Sequence, residues 1–296
     1  GGQERFGKWV TGPGKEEAPM KGNTGVLSRL GFLVIVWMLV SACQHGPPDA
    51  TGHAVDARSD RPGGRESWPE ELRIGYQKSS LLLFVKAQGR LERQLEAHGV
   101  AVRWFEFPSG PALLEALNGG KIDFGYAGGA PAVLAQAAPG SQMVYVAYEP
   151  EVKRAIVVPR HSAIRDAGDL KGKRVAFVKG SSAHYTLLSA LETVGLSLAD
   201  IQPVYLQPSD ARTAFERGDV DAWVIWDPYL AAAEEEAGAR ILVDANTLPR
   251  QYGFVLGRRD YVQRYPRIVD VLVQELNAVH RQVQSDPKRA AAQLSA

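Results

Sequence analysis

The sequence holds one cysteine, Cys43, so no internal disulfide can form, and that residue must be explained by its position. It has almost no charge excess: 34 Lys and Arg against 33 Asp and Glu leave +1, too little basic character for nucleic acid to be a partner. None of the six histidines stands at helical metal-site spacing from another, so no metal is expected. A Gly-x-Ser-x-Gly elbow, a Walker loop and a strand-linked Gly-x-Gly-x-x-Gly are all missing, which leaves no signature of a catalytic centre or a cofactor. The chain reads as a non-enzyme. Its apolar stretch Leu30–Val40 is too short for an ordinary membrane span.

What is there begins with that stretch. Met20, Lys21 and Arg29 precede it, and Val40-Ser41-Ala42-Cys43 follows it. A basic flank, a short apolar run and small residues describe a secretory signal. Val-Ser-Ala-Cys resembles the lipobox of bacterial lipoproteins, with valine in place of the usual leucine. The resemblance implies lipidation at Cys43 and an extracytoplasmic protein held to a membrane by its lipid rather than by a span. The alternative is a stub anchor with a buried cysteine. Residues 1–19 form an upstream extension, 20–42 the signal and 43–70 a flexible tether. Gln44–Trp68 is rich in Gly, Pro, Asp, Arg and His, and too poor in bulky apolar residues to offset the entropy of ordering it.

From Leu72 onward, short apolar runs alternate with amphipathic stretches. Leu72–Tyr76, Val102–Phe107, Ile122–Ala127, Met143–Tyr148, Ala155–Pro159, Arg174–Val178, Ala222–Trp226 and Tyr252–Leu256 read as strands. Leu81–His98, Pro111–Asn118, Pro131–Ala138, Ala183–Val194 and Ala211–Arg217 read as helices, with Gly99, Gly119, Gly195 and Gly218 where C-terminal caps belong. The alternation predicts an α/β protein with mixed sheets flanked by helices. Elements fall into two groups, giving a two-lobed architecture with a cleft: 71–165 as lobe 1, 166–247 as lobe 2, and 248–296 returning to lobe 1.

The candidate binding residues follow the strands. Gln77-Lys78-Ser79-Ser80, Gly128-Gly129-Ala130-Pro131, Lys179-Gly180-Ser181-Ser182 and Asp227-Pro228-Tyr229 each join a strand to a helix. Ser and Asp cap helix starts, and the unpaired amides there suit an anion. In open α/β sheets, ligands bind beyond the carboxyl ends of the strands, where these junctions lie. Any α/β protein has such turns, so one alone says little; four in an exported two-lobed chain point to a small-anion binder. Lys78 and Lys179 are expected to be solvated rather than in contact. His184 is a hydrogen-bond donor or a packing residue. Trp226, Tyr126, Tyr185 and Tyr252 are core residues or aromatic walls for the apolar part of a ligand.

At these junctions the chain resembles the periplasmic aliphatic sulfonate-binding proteins, within the nitrate/taurine/sulfonate receptors of ABC importers. The residues that carry the likeness include Ile74-Gly75-Tyr76-Gln77-Lys78, Glu106-Phe107-Pro108-Ser109-Gly110-Pro111, Ile122-Asp123-Phe124-Gly125, Lys179-Gly180-Ser181-Ser182-Ala183-His184 and Val220–Tyr229. They run in the same order from about Leu72 to the end. The resemblance implies a type II periplasmic-binding-protein fold, a monomer that closes on its ligand and docks on an ABC permease, and a sulfonate pocket on Gln77, Ser79, Ser80, Gly128, Gly129, Ser181, Ser182, His184, Trp226 and Asp227. For Asp227, capping its own helix is the safer role. Two departures stand out: Ala127-Gly128-Gly129 replaces a family pattern near Thr-Gly-Asp, and the family continues for several dozen helical residues where this chain stops. Rival readings are a receptor for taurine, nitrate or another small anion, a biosynthetic enzyme on the same fold, and a sensory or adhesive lipoprotein.

Overall fold

The computed structural model describes residues 68–150 and 152–294. Cys43, the signal segment and most of the expected tether lie outside the described residues. Ten strands form two five-stranded sheets. The first contains β1 (Glu71–Tyr76), β2 (Ala101–Glu106), β3 (Phe124–Gly128), β4 (Met143–Glu149) and β10 (Gly253–Arg258), in the order β2-β1-β3-β10-β4. The second contains β5 (Arg154–Pro159), β6 (Arg174–Phe177), β7 (Gln202–Tyr205), β8 (Ala222–Trp226) and β9 (Ala239–Asp244), in the order β7-β6-β8-β5-β9. In each, three parallel strands meet an antiparallel fourth, β10 in one and β5 in the other.

Helices cover both sheets, as the alternation predicts. In lobe 1, α1 (Leu81–Gln88) and α2 (Arg90–Glu96) lie between β1 and β2, α3 (Gly110–Asn118) precedes β3, and α4 (Gly129–Ala137) follows it. Lobe 2 carries α5 (Ser182–Glu192), α6 (Pro208–Arg217) and α7 (Tyr229–Glu235). After β10 come α8 (Arg259–Arg264), α9 (Pro266–Ser285) and α10 (Pro287–Leu294). The buried face of α9 falls at Ile268, Leu272, Leu276, Val279 and Val283, a spacing of three and four that makes one apolar stripe. That stripe and α1 pack on Leu72, Ile74, Phe124 and Val255. A second cluster joins Leu113, Leu114 and Leu117 of α3 to Ile122, Met143 and Leu256. β8 is central in lobe 2 and buried throughout, so it reads as an unbroken apolar run, and Trp223 packs with Phe177, Leu187 and Phe215.

The lobes share a fastening that no local pattern announces. In lobe 1, Arg73 at the start of β1 donates its backbone N–H to Asp123 Oδ2 (2.9 Å), its Nε to the same oxygen (3.0 Å) and its Nη2 to Oδ1 (2.7 Å). Arg174 at the start of β6 does the same with Asp221, at 2.8, 3.3 and 3.0 Å. Each arginine also reaches a glycine carbonyl, Gly120 or Gly218, in the turn before its aspartate. Each pair thus ties a strand start to the turn feeding a neighbouring parallel strand. Such bidentate pairs are strong and directional.

The lobe boundary differs from the one expected. β5 sits in the second sheet, so the chain changes lobe between Glu149 and Arg154 rather than near residue 165. β4 and β5 are consecutive apolar runs separated by a short link, which reads locally as a hairpin. The polar turn near Asp169–Arg174, the more conspicuous signal, lies inside lobe 2.

Candidate functional site

The four junctions read from the sequence lie at the carboxyl ends of β1, β3, β6 and β8. A narrow cleft of about 30 Å³ runs between the lobes there. Six of the ten candidates line it: Gln77, Ser79 and Gly128 from lobe 1, and Ser181, Ser182 and Trp226 from lobe 2. A larger crevice of about 630 Å³ lies on lobe 1, bordered by Gln88, Arg90, Arg93 and Arg289. No candidate residue lines it, so its size does not make it the site.

Several wall groups have defined duties. Gln77 donates through Nε2 to the Tyr126 carbonyl (2.9 Å), and the amide keeps a second hydrogen. Ser181 caps α5: its Oγ accepts from the Ala183 and His184 amides and donates to the Val178 carbonyl (2.8 Å). Ser182, one residue on, is different. Its Oγ is buried without a hydrogen-bond partner, a costly state for a hydroxyl unless something fills it. Gly128 faces it from the other lobe, and a Cβ at that position would collide with Ser182 Oγ. Glycine is what lets the lobes approach here.

The remaining four candidates do not line the cleft, each for a physical reason. Ser80 Oγ accepts from the Leu82 amide (3.0 Å) and donates to Glu149 Oε1 (3.3 Å). Gly129 packs against β10, where a Cβ would come within 2.8 Å of the Tyr252 carbonyl oxygen. His184 accepts from the Gly180 N–H at Nδ1 (3.1 Å), so its proton is on Nε2, and its ring stacks on Phe177. Burial first, and then Lys179, hold the imidazole below the usual histidine range. Asp227, one residue before the Pro228 N-cap, accepts from the Ala231 amide (3.0 Å) in the first turn of α7.

At three of the four helix starts, α1, α5 and α7, the protein itself takes amides of the first turn, those of α5 through Ser181. At α1, Leu81 N–H donates to Glu149 Oε2 (3.0 Å) and Leu82 N–H to Ser80. α7 is only seven residues long, and Asp227 takes its Ala231 amide. The start of α4 has no side-chain cap, and it packs at the cleft against α5 of the other lobe. Sequence reasoning missed Gly110, Pro131 and Val152, which also line it. Gly110 carried a usable signal, since β2 leads through Ser109-Gly110-Pro111 into α3 by the same strand-to-helix chemistry, and Ser109 Oγ is another buried, unpartnered hydroxyl. Val152 lies on the link between β4 and β5, and nothing local marks it.

Lys78 pairs with Glu106 (3.7 Å) and Lys179 lies over the Tyr205 ring, and neither lines the cleft. Tyr126 does line it, its hydroxyl raised above the usual tyrosine range by burial and then by Glu149. Tyr185 and Tyr252 are exposed elsewhere. No charged residue lines the cleft. Among the described residues no cluster of His, Cys, Asp and Glu could hold a metal, and no helix is long and apolar enough to cross a membrane.

Residues 84–290 match the family model described as the phosphonate periplasmic substrate-binding protein of ABC transporters. The chain belongs to the periplasmic substrate-binding proteins of ABC transporters. Among the relatives of this chain is an aliphatic sulfonates-binding protein of Escherichia coli (strain K12), 48% identical over 67% of this chain. A Bacillus subtilis (strain 168) protein of the same description is 39% identical over 67%. The chain spans 62% and 60% of those relatives' lengths. The alkanesulfonate-binding protein of Xanthomonas axonopodis pv. citri, solved bound to MOPS, superposes with a TM-score of 0.71 at 43% identity, covering 77% of this chain and 78% of that one. The two-lobed α/β architecture is thus that of periplasmic binding proteins.

Proposed function

We propose that this protein is an extracytoplasmic receptor that captures an aliphatic sulfonate between its lobes and delivers it to an ABC importer. The observation that carries the reading is the unpartnered Ser182 hydroxyl, buried in a cleft whose walls bear donors but no charge. A sulfonate is ionised at every physiological pH, so it asks for fixed N–H and O–H donors rather than for a group of tuned pKa. Gln77, Ser79 and Ser182, with the amides at the start of α4, supply neutral donors from both sides. Trp226 and Val152 give an alkyl tail an apolar wall. Taurine would bring an ammonium group as well, and no carboxylate lines the cleft to meet it, so an amine-free alkanesulfonate suits the walls better.

Delivery to a permease and a lipid anchor at Cys43 belong to the same proposal. They are supported by the family and by the lipobox-like Val40–Cys43, respectively. Titration calorimetry of the 296-residue chain with ethanesulfonate, taurine, nitrate and sulfate tests the substrate. Ethanesulfonate is expected to bind most tightly. No binding by any alkanesulfonate would overturn the reading.

A further inference from the structure

Glu149 stands behind the cleft wall and takes no part in the binding just described. It is the last residue of β4, where the chain leaves lobe 1 for lobe 2, and it is 3% exposed. Its two oxygens hold the loop that lines the cleft: Oε1 accepts from Ser80 Oγ at 3.3 Å and Oε2 from Leu81 N–H at 3.0 Å. Ser80 N–H in turn donates to the Gln77 carbonyl (3.1 Å), closing the turn that carries Gln77 and Ser79. From β3 the titratable neighbour is Tyr126, which lines the cleft and whose hydroxyl feels the Glu149 charge. Arg154, at the head of β5, acts on that same hydroxyl, and β10 places Gly253 opposite Glu149. A carboxylate thus occupies the α1 start, one layer from where an anion would be held.

We propose that Glu149 is a positioning residue for the Gln77–Ser80 loop and that anion capture in the cleft is coupled to protonation of its carboxylate. The coupling rests on the receptor reading above, and its physics is simple. An anion in the cleft adds a like charge and displaces water from the wall, and both disfavour ionised Glu149. Burial already pushes the Glu149 carboxyl up to about 7, so the proton it needs is available near neutral pH. The anion and the proton therefore bind together, and each tightens the other. A rise of about one unit in the Glu149 pKa on binding makes capture up to about tenfold tighter below its range than above it.

The test is calorimetry of ethanesulfonate binding to the whole chain from pH 5.5 to 8.5, in non-sulfonate buffers of differing ionisation enthalpy. The wild type is expected to take up a fraction of a proton per ligand near pH 7 and to bind about three- to tenfold more tightly at pH 6 than at pH 8. Glu149→Gln keeps the acceptor oxygen and should bind with no such uptake, whereas His184→Asn should retain it. A merely structural Glu149 would leave the proton count at zero in the wild type itself, so the measurement decides even where a variant folds poorly. Binding without uptake and with flat affinity overturns the coupling alone. Uptake that survives in Glu149→Gln and vanishes in His184→Asn overturns it too. No binding at any pH overturns the receptor reading as well.

Discussion

Replacing Gly128 with alanine adds one methyl group where the two lobes touch. The Gly128 backbone is extended, at φ −65° and ψ 167°, a conformation alanine adopts freely, so the substitution is not a backbone test. Its effect is steric and falls across the cleft, because the new Cβ would overlap Ser182 Oγ on α5. Overpacking a tight site costs about 1–3 kcal/mol. Here the strain has a release that a core position lacks, since the lobes can part. The cost should therefore appear in the closed state and leave each lobe's stability alone. If ligand is gripped only in the closed state, a penalty of about 1–3 kcal/mol weakens binding about 5- to 150-fold. Calorimetry gives the affinity, and a thermal melt without ligand gives the stability. Gly129→Ala is the contrast: its Cβ would press on the Tyr252 carbonyl inside lobe 1, with no hinge to relieve it, so Tm should fall while the cleft stays unobstructed. Unchanged affinity in Gly128→Ala, or a loss of Tm equal to that of Gly129→Ala, would refute the reasoning.

Other consequences are as specific. Ser182→Ala removes a donor aimed into the cleft and should weaken sulfonate binding by about 1.5–3 kcal/mol, with Tm unchanged or slightly raised because a buried unpaired hydroxyl is gone. Asp123→Asn removes the fully buried carboxylate that pairs with Arg73 and should lower the denaturant midpoint clearly, whereas Asp221→Asn, with both partners partly in solvent, should lower it much less. The Arg174 guanidinium holds the Asp221 carboxyl below the usual carboxylate range, so this pair's contribution is present at neutral pH and is lost as pH falls through that range. Glu149 has the opposite sign. Its carboxyl is raised to about 7, so the stability linked to it is complete below about pH 4.5 and is lost as pH rises through 7. The wild type should lose about 2–4 kcal/mol from this group between pH 5 and 8, and Glu149→Gln should flatten the profile.

Eight of the ten strands, most helices and the location of the cleft were legible because they rest on local signals: apolar runs of strand length, glycine stops, and Ser, Gly or Asp-Pro at strand ends; β7 and β9, neither of which is buried throughout, were not read. What escaped depends on residues far apart in sequence. Ser181 and Ser182 look alike in the chain, yet one hydroxyl is spent on its own helix and the other faces Gly128 across the lobes. Gly128 and Gly129 are likewise adjacent equals in sequence, and only the pairing of β3 with β10 turns one towards the cleft and the other towards Tyr252. Glu149 is separated from Leu81 by 68 residues, and no local pattern says that a carboxylate will fill the start of α1. The matched Arg73–Asp123 and Arg174–Asp221 fastenings span 50 and 47 residues, and the stretches around them share too little identity to register as a repeat.

The filled start of α1 changes how the grip is divided. Had α1 been open, lobe 1 would own the starts of both α1 and α4 and could hold an anion with little help from lobe 2. With Glu149 in place, the donors proposed for the anion split across the cleft, the start of α4 with Gln77 and Ser79 on one side and the Ser182 hydroxyl, at the start of α5, on the other. Two helix starts facing each other carry like partial charges and resist approach, so closure gains little until an anion lies between them. Once there, it is attracted to both, and neither lobe alone offers the full set of donors. Each lobe is fastened internally by its own Arg–Asp pair, which leaves the links after β4 and β9 to absorb the motion. On the proposed reading, ligand capture and lobe closure then become one equilibrium, because the donors assigned to the anion come together only where the lobes meet.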